Sequence, residues 1–220
     1  MSEIRVEKVI CPVCRHVQDF TLAKFLDVTD NPGLKQALLS GELTRMTCAQ
    51  CGAETDVLFP LLYHDTEFRL MIWLIPVQGT PGDHDHVIGE IDATLAATHQ
   101  FRVVRTANEL KEKVVIAEAG MDDRVVEFFK VVLRREPGAQ IMAGDIILFG
   151  GLEREADENV LLFTVLRGTE RFEFSIPFET FAHFSKEAEP LAESLYADGG
   201  VWLTVDEATT SARLRERNLE

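Results

Sequence analysis

The chain has 220 residues, 46% of them hydrophobic and 27% charged, which suits one large globular domain or two small ones. Apolar runs such as "RLMIWLIPV" fall far short of the roughly 20 residues a membrane helix needs, and "MSEIRVEKV" shows no targeting pattern, so a cytoplasmic protein is expected. The net charge is −15, with −10 of it in residues 136–220, and that acidity disfavours broad nucleic-acid binding.

Along the chain, "IRVEKVI" alternates and predicts a strand running into the first cysteine pair, "ICPVCRH". The stretch "TDNPGLKQALLSGELT" predicts a short helix, with Asn31 as N-cap, Pro32 in the first turn and Gly41 at the end. "TRMTC" returns as a strand to the second pair, "TCAQCGAE". "DVLFPLLYHDTEFRLMIWLIPV" then predicts a hairpin of long strands turning at "HDTE", with Pro60 and Pro76 at strand ends. "QGTPGDHDH" breaks the pattern and is the best linker candidate.

Beyond it the period becomes helical, with Ile88, Ile91 and Leu95 on one face. "FRVVR" predicts a short strand. Thr106 and Glu109 form a capping box that opens a helix ending at Gly120. The next helix is capped by Asp122 or Asp123 and carries Val125, Phe129, Val132 and Leu133 on one face. In the last third, "DIILFGG", "VLLFTVLR", "RFEFSIPF" and "GVWLTV" predict strands. "SKEAEPLAESLY" and "DEATTSARLRERN" predict helices, Pro190 confining the former to a start or a break. The total is α+β: a zinc-ribbon-like β domain with a helical insert and hairpin over 1–78, a linker at 79–86, and an α+β region over 87–220. That region holds helices at about 87–135 and mixed elements over 141–220.

All four cysteines stand in two Cys-x-x-Cys pairs, separated by 33 residues. In a reducing compartment such pairs bind metal or do redox work more often than they form disulfides. Zn²⁺ takes four thiolates at tetrahedral corners. Cys11, Cys14, Cys48 and Cys51 are therefore the expected ligands. Gly52 suits the positive φ of such a loop, and Arg15, His16 and Arg45 stand near in sequence to offset the charge of the thiolates. The inserted helix accounts for a spacing wider than that of a compact motif. The rival is a redox dithiol at "CPVC", but no amphipathic helix follows it and the second pair would be idle. Four protein ligands would close the site, leaving no position for catalytic water, and make the zinc a folding element.

Other residues invite functional readings. His84 and His86, with Asp83 and Asp85, are metal-competent types in a loop. His64 and Asp65 could form an oriented base, although turn chemistry explains the aspartate as well. His99 reads as a boundary histidine. The phenylalanines of "FEFSIPFETFAHF" read as core, although an exposed subset could mark a partner-binding groove. No phosphate-binding glycine loop, Gly-x-Ser-x-Gly elbow or His-Glu-x-x-His helix is present.

With these residues in view, the chain resembles the CpXC family. "CPVC" at 11–14 matches the family's Cys-Pro-x-Cys motif, whereas "CAQCG" at 48–52 keeps the spacing and lacks the proline, which is no ligand. "NPGLKQALLSGEL", "PLLYHD" and "NELKEKVVIAEAGMDD" extend the resemblance over roughly residues 1–135. It implies a zinc-ribbon-like site at the same four cysteines and no particular reaction. The expectation is a zinc-binding interaction or adaptor protein, with protein partners, no membrane and no assigned oligomeric state. The alternatives are an enzyme whose site lies outside the ribbon, around His64, His84 and His86, and a thiol or zinc-release redox sensor. Nucleic-acid binding would need Arg5, Lys8, Arg15, Lys35 and Arg45 on one face.

Overall fold

A computed structural model describes residues 2–76, 93–136, 138–197 and 201–219, and the chain is an α+β protein. It divides into two compact units, Met1–Lys111 and Glu112–Glu220. Among the described residues, no helix is long and apolar enough to cross a membrane. The expected linker at 79–86 lies outside the described residues.

In the first unit, β1 (Glu3–Ile10) and β2 (Val17–Asp27) form an antiparallel hairpin. Helix α1 (Pro32–Ser40) follows, with proline in its first turn and Gly41 closing it at φ 83°. Asn31 occupies the N-cap as expected, but its side chain makes no capping bond. A second hairpin joins β3 (Arg45–Thr47) to β4 (Glu54–Asp56). Next come β5 (Leu61–Asp65), β6 (Leu70–Leu74), α2 (Ala93–Thr98) and β7 (Gln100–Val104). The main sheet of the unit runs β1-β2-β5-β6-β7, antiparallel except for the β2–β5 and β6–β7 pairs.

β5 and β6 each bury alternate residues, as the period of two requires. Leu61, Tyr63, Leu70, Ile72 and Leu74 enter the core with Leu26 and Leu38. The hairpin turns at Thr66–Arg69 rather than at "HDTE". His64 is instead a strand residue, paired with Asp27 on one side and Met71 on the other. Asp65 shifts the turn: its carboxylate accepts from the Glu67 and Phe68 amides at 3.1 and 3.3 Å, an Asx turn one step downstream.

Helix α3 (Ala107–Glu118) begins in the first unit and ends in the second. Thr106 caps the Glu109 amide at 3.1 Å, and the Glu109 carboxylate reaches back to the Arg105 amide at 2.7 Å. The second unit continues with α4 (Asp123–Arg135), capped by Asp122. β8 (Ile146–Glu155), β9 (Glu158–Arg167) and β10 (Glu170–Pro177) form a meander. Then follow α5 (Phe178–Leu195), β11 (Trp202–Leu203) and α6 (Glu207–Glu216). Phe129, Phe149, Phe163 and Phe181 dominate the core between α4, α5 and the meander, with Phe129 and Phe181 edge to face at 5.3 Å.

Pro190 lies inside α5 and neither starts nor breaks it. The lost backbone bond falls on the exposed side of the helix, while Phe181, Ala188, Ala192 and Leu195 are buried. Tertiary packing of that face outweighs the local penalty.

The most demanding contacts of this unit are ionic. Lys113 and Lys130 are buried among Glu112, Asp123 and Glu127. Lys113 Nζ lies 2.7 Å from Glu127 and 3.3 Å from Asp123. Lys130 Nζ lies 2.5 Å from Glu112 and 3.0 Å from Glu127. Glu112 also accepts from the Phe149 amide, which joins α3, α4 and β8. Asp123 was expected only as a possible cap and proves to be part of this cluster. The Glu112 carboxyl is pushed up by burial despite both lysines. The lysine ammoniums are pushed down by burial, but the adjoining carboxylates hold them above their ordinary value.

Two predictions follow from this unit. Lys130→Met takes from buried Glu112 its ion-pair partner, while Lys113 still serves Glu127 and Asp123, and should cost about 3–5 kcal/mol in urea unfolding. Asp145, bonded by Arg167 at 2.6 and 2.9 Å and by the Met142 amide at 2.8 Å, titrates at about 2 instead of 3.8. Its contribution is complete above the unfolded value and disappears as pH falls from about 4 toward 2. Unfolding midpoints measured at pH 5 and pH 3 should therefore differ less in Arg167→Ala than in the natural chain.

Candidate metal centre

Each cysteine pair is the loop of a hairpin. Cys11–Cys14 connects β1 to β2, and Cys48–Cys51 connects β3 to β4. The two loops share one backbone pattern. The Cys11 amide donates to the His16 carbonyl at 2.8 Å, and the Cys48 amide to that of Ala53 at 2.9 Å. The Arg15 amide donates to the Cys11 carbonyl at 3.0 Å, and the Gly52 amide to that of Cys48 at 2.9 Å. The residue after each second cysteine is left-handed: Arg15 at φ 63° and Gly52 at φ 70°. Glycine at 52 announces that conformation in the sequence; arginine at 15 does not.

The structure brings all four predicted cysteines together. Cys11 Sγ lies 3.7 Å from Cys51 Sγ, and Cys14 Sγ lies 3.6 Å from Cys48 Sγ. All four sulfurs are within 4.8 Å of one another and could hold a metal ion. Four thiolates at about 2.3 Å from a tetrahedral ion would stand about 3.8 Å apart, so the donor set fits in both chemistry and spacing. None of the four is in a disulfide.

Loop amides tune the sulfurs. The Cys51 amide, with that of Gln50, lowers the Cys48 thiol to about 6. The Cys14 and Val13 amides lower Cys11 in the same way. At Cys14 the His16 amide also lowers the thiol, but burial and the three neighbouring sulfurs outweigh it and carry the value to about 12. The thiol of the first cysteine of each pair is thus shifted toward the thiolate, the form that binds metal.

Gln18 joins the loops, and the sequence carries no signal for it. Its side-chain amide donates to the Thr47 carbonyl at 3.1 Å and accepts from the Ala49 amide at 2.8 Å. Strand β2 is thereby fastened to the second loop. The strand over 17–27 was itself absent from the sequence expectations.

The other candidates do not assemble around the sulfurs. His84 and His86, with Asp83 and Asp85, lie outside the described residues. The Asp65 carboxylate turns away from His64 to Lys35 at 2.8 Å and the Tyr63 hydroxyl at 3.0 Å. Although burial pushes that carboxyl up, these partners hold it below its ordinary value. His64 Nδ1 is 3.8 Å from Asp27, and its ring lies 5.4 Å from that of His99. The Nε2 atoms of both histidines are buried without a hydrogen-bond partner among the described residues. Burial, then His64 and Arg69, pushes His99 below its ordinary value, which favours a neutral ring. Of the basic residues, Arg5 meets Glu3, Lys8 meets Asp19 and Lys35 meets Asp65, so acidic partners offset much of their field.

A hollow of 410 Å³ in the first unit has Leu22, Phe59, Leu62 and Trp73 in its lining, together with Glu7 and Lys24. One of 360 Å³ in the second unit has Ile141, Val165, Phe172 and Phe174 beside Arg167. Neither lining contains a histidine, cysteine or serine.

The family described as CpXC protein matches residues 9–130. The chain belongs to the CpXC family. The matched stretch takes in both cysteine loops, the main sheet of the first unit from β2 onward, α3 and most of α4, and only the last two residues of β1. No curated protein and no solved structure matches the chain.

A Cβ at Gly52 would meet nothing within 4 Å, so its substitution tests backbone conformation alone. Gly52→Ala should cost about 1 kcal/mol through the left-handed geometry. Arg15→Gly should show little loss or a small gain in thermal unfolding, since it relieves the same conformation in the other loop.

Proposed function

We propose that this CpXC protein binds one Zn²⁺ per chain through Cys11, Cys14, Cys48 and Cys51, and that the ion is structural. The observation that carries the proposal is the mutual approach of four thiols from two hairpin loops. Softness and count of the donors favour zinc over oxygen-seeking cations. Four protein ligands leave no open position for water or substrate, so the metal holds the hairpins rather than performing a reaction. The small sheet β3–β4 buries Met46 but exposes most of its residues, and metal binding supplies order that so little core cannot. The protein acts as an interaction or adaptor protein of a reducing compartment such as the cytoplasm, with the first unit presenting its surface to protein partners.

Elemental analysis of the purified chain should find one zinc per molecule; none would overturn the assignment. Cys48→Ala should lose the metal and lower the unfolding temperature of the first unit, as should a strong chelator added to the natural chain.

A second reading rests on Cys51, which is exposed, beside Cys48 at about 6. Oxidation there would release the ion and make the centre a thiol sensor. Zinc retained under mild peroxide, with all four thiols unmodified, would exclude this reading.

A further inference from the structure

Among the described residues, strand β1 stands at the end of its sheet. Seven of its eight residues are exposed and Val9 is half-buried. On one face Ile4 is 55% exposed, Val6 63% and Ile10 56%. Exposed Val17, the cross-strand partner of Ile10, continues this row, and exposed Val13 stands in the intervening cysteine loop. Sheet edges are ordinarily kept short or interrupted by proline, bulges or charge, because an open edge recruits another strand. β1 has eight residues and no proline, and its irregularity is confined to Glu3/Ile4. Its protection is charge alone: Glu3, Arg5, Glu7 and Lys8.

Those charges cease to protect in one pairing. Two copies joined edge to edge about a two-fold axis normal to the sheet pair antiparallel, with residues of the same face opposite one another. A register centred on Arg5 sets Arg5 against itself and Glu3 against Glu7. A register centred on Glu7 or Lys8 sets that residue against itself. Centring on Val6 places Arg5 opposite Glu7 of the other copy, twice. It also sets Val6 against Val6 and lays the aliphatic stem of Lys8 beside Ile4. Opposite charges directly across a strand pair are stabilising and like charges are not. Among registers that pair most of the strand, this one has no like-charge pair.

We infer that β1 is a self-recognition strand, through which two copies of this chain join their sheets antiparallel about Val6. Backbone hydrogen bonds along the joined edges supply affinity, and the reciprocal Arg5–Glu7 pairs set the register, as in other strand additions. The two cysteine centres then lie toward opposite ends of the paired strands. This inference is independent of which ion the cysteines hold, because no ligand takes part in the pairing.

Sedimentation of the full chain as purified, at low salt and over a range of concentration, tests it. The natural chain should be a reversible dimer. Arg5→Glu and Glu7→Arg should each weaken self-association by about tenfold or more, since each sets like charges opposite one another twice. An equimolar mixture of the two variants should dimerise again, as should the double variant R5E/E7R. In the natural chain, hydrogen exchange at β1 should slow as concentration rises, a readout that needs no variant. A chain that stays monomeric at every concentration would overturn the inference. So would single variants that dimerise like the natural chain, or a mixture that stays monomeric although both variants fold. Dimerisation with unchanged β1 exchange would assign the contact to another surface.

Discussion

Four sulfurs must meet, and the first unit is arranged so that they do. Neither loop holds more than two of them, and the loops are separated in sequence by β2, α1 and β3. Two hairpins therefore have to converge tip to tip. Their matching amide patterns, the left-handed residues Arg15 and Gly52, and the clamp made by Gln18 all serve that convergence. The thiolates are costly to gather without a cation, because like charges so close repel one another. Under the proposed zinc occupancy the ion supplies what the amides begin: it neutralises the sulfurs and ties together two hairpins with little core of their own.

The second unit answers a different constraint. Its apolar core is ample, with four phenylalanines in mutual contact, yet it encloses three carboxylates and two ammoniums. Desolvating such groups is expensive, and hydrophobic residues of equal volume would often be as stable. The cluster instead specifies partners. Lys130 has to meet Glu112, Glu112 has to meet the Phe149 amide, and Lys113 has to meet Glu127. Slippage of α3 along α4 would strand a buried charge, so the ionic pairs select one packing among several that apolar residues alone would tolerate.

Local chemistry explains which parts of the chain were legible. Gly41, Gly52 and Gly120 all adopt positive φ, the conformation for which glycine is the least costly residue. Thr106 and Asp122 cap helices as their positions imply. Arg15 is invisible by the same logic, since nothing about arginine announces a left-handed backbone. His64 was misplaced because "HDTE" is polar and polar runs suggest turns. Strand pairing on both sides decides otherwise. Of the helix face drawn through Val125, Phe129, Val132 and Leu133, Val132 is only half-buried while Val126 and Val131 are buried, and Asp123, Glu127 and Lys130 are buried as well. A helical projection marks charged residues as solvated unless their partners on another element are known.

By itself the sequence determined the pairing of cysteines into two tight loops, most of the strands and helices, the α+β class and the family. Each of these follows from spacing, periodicity or a residue type with one favourable conformation. Only the tertiary structure decided that four sulfurs meet, that Gln18 binds the second loop, that Asp65 turns from His64 to Lys35, and that five charges share one interior. Those facts depend on residues far apart in the chain. Their energies come from desolvation and from short-range contacts, which vanish unless both partners are brought to one place.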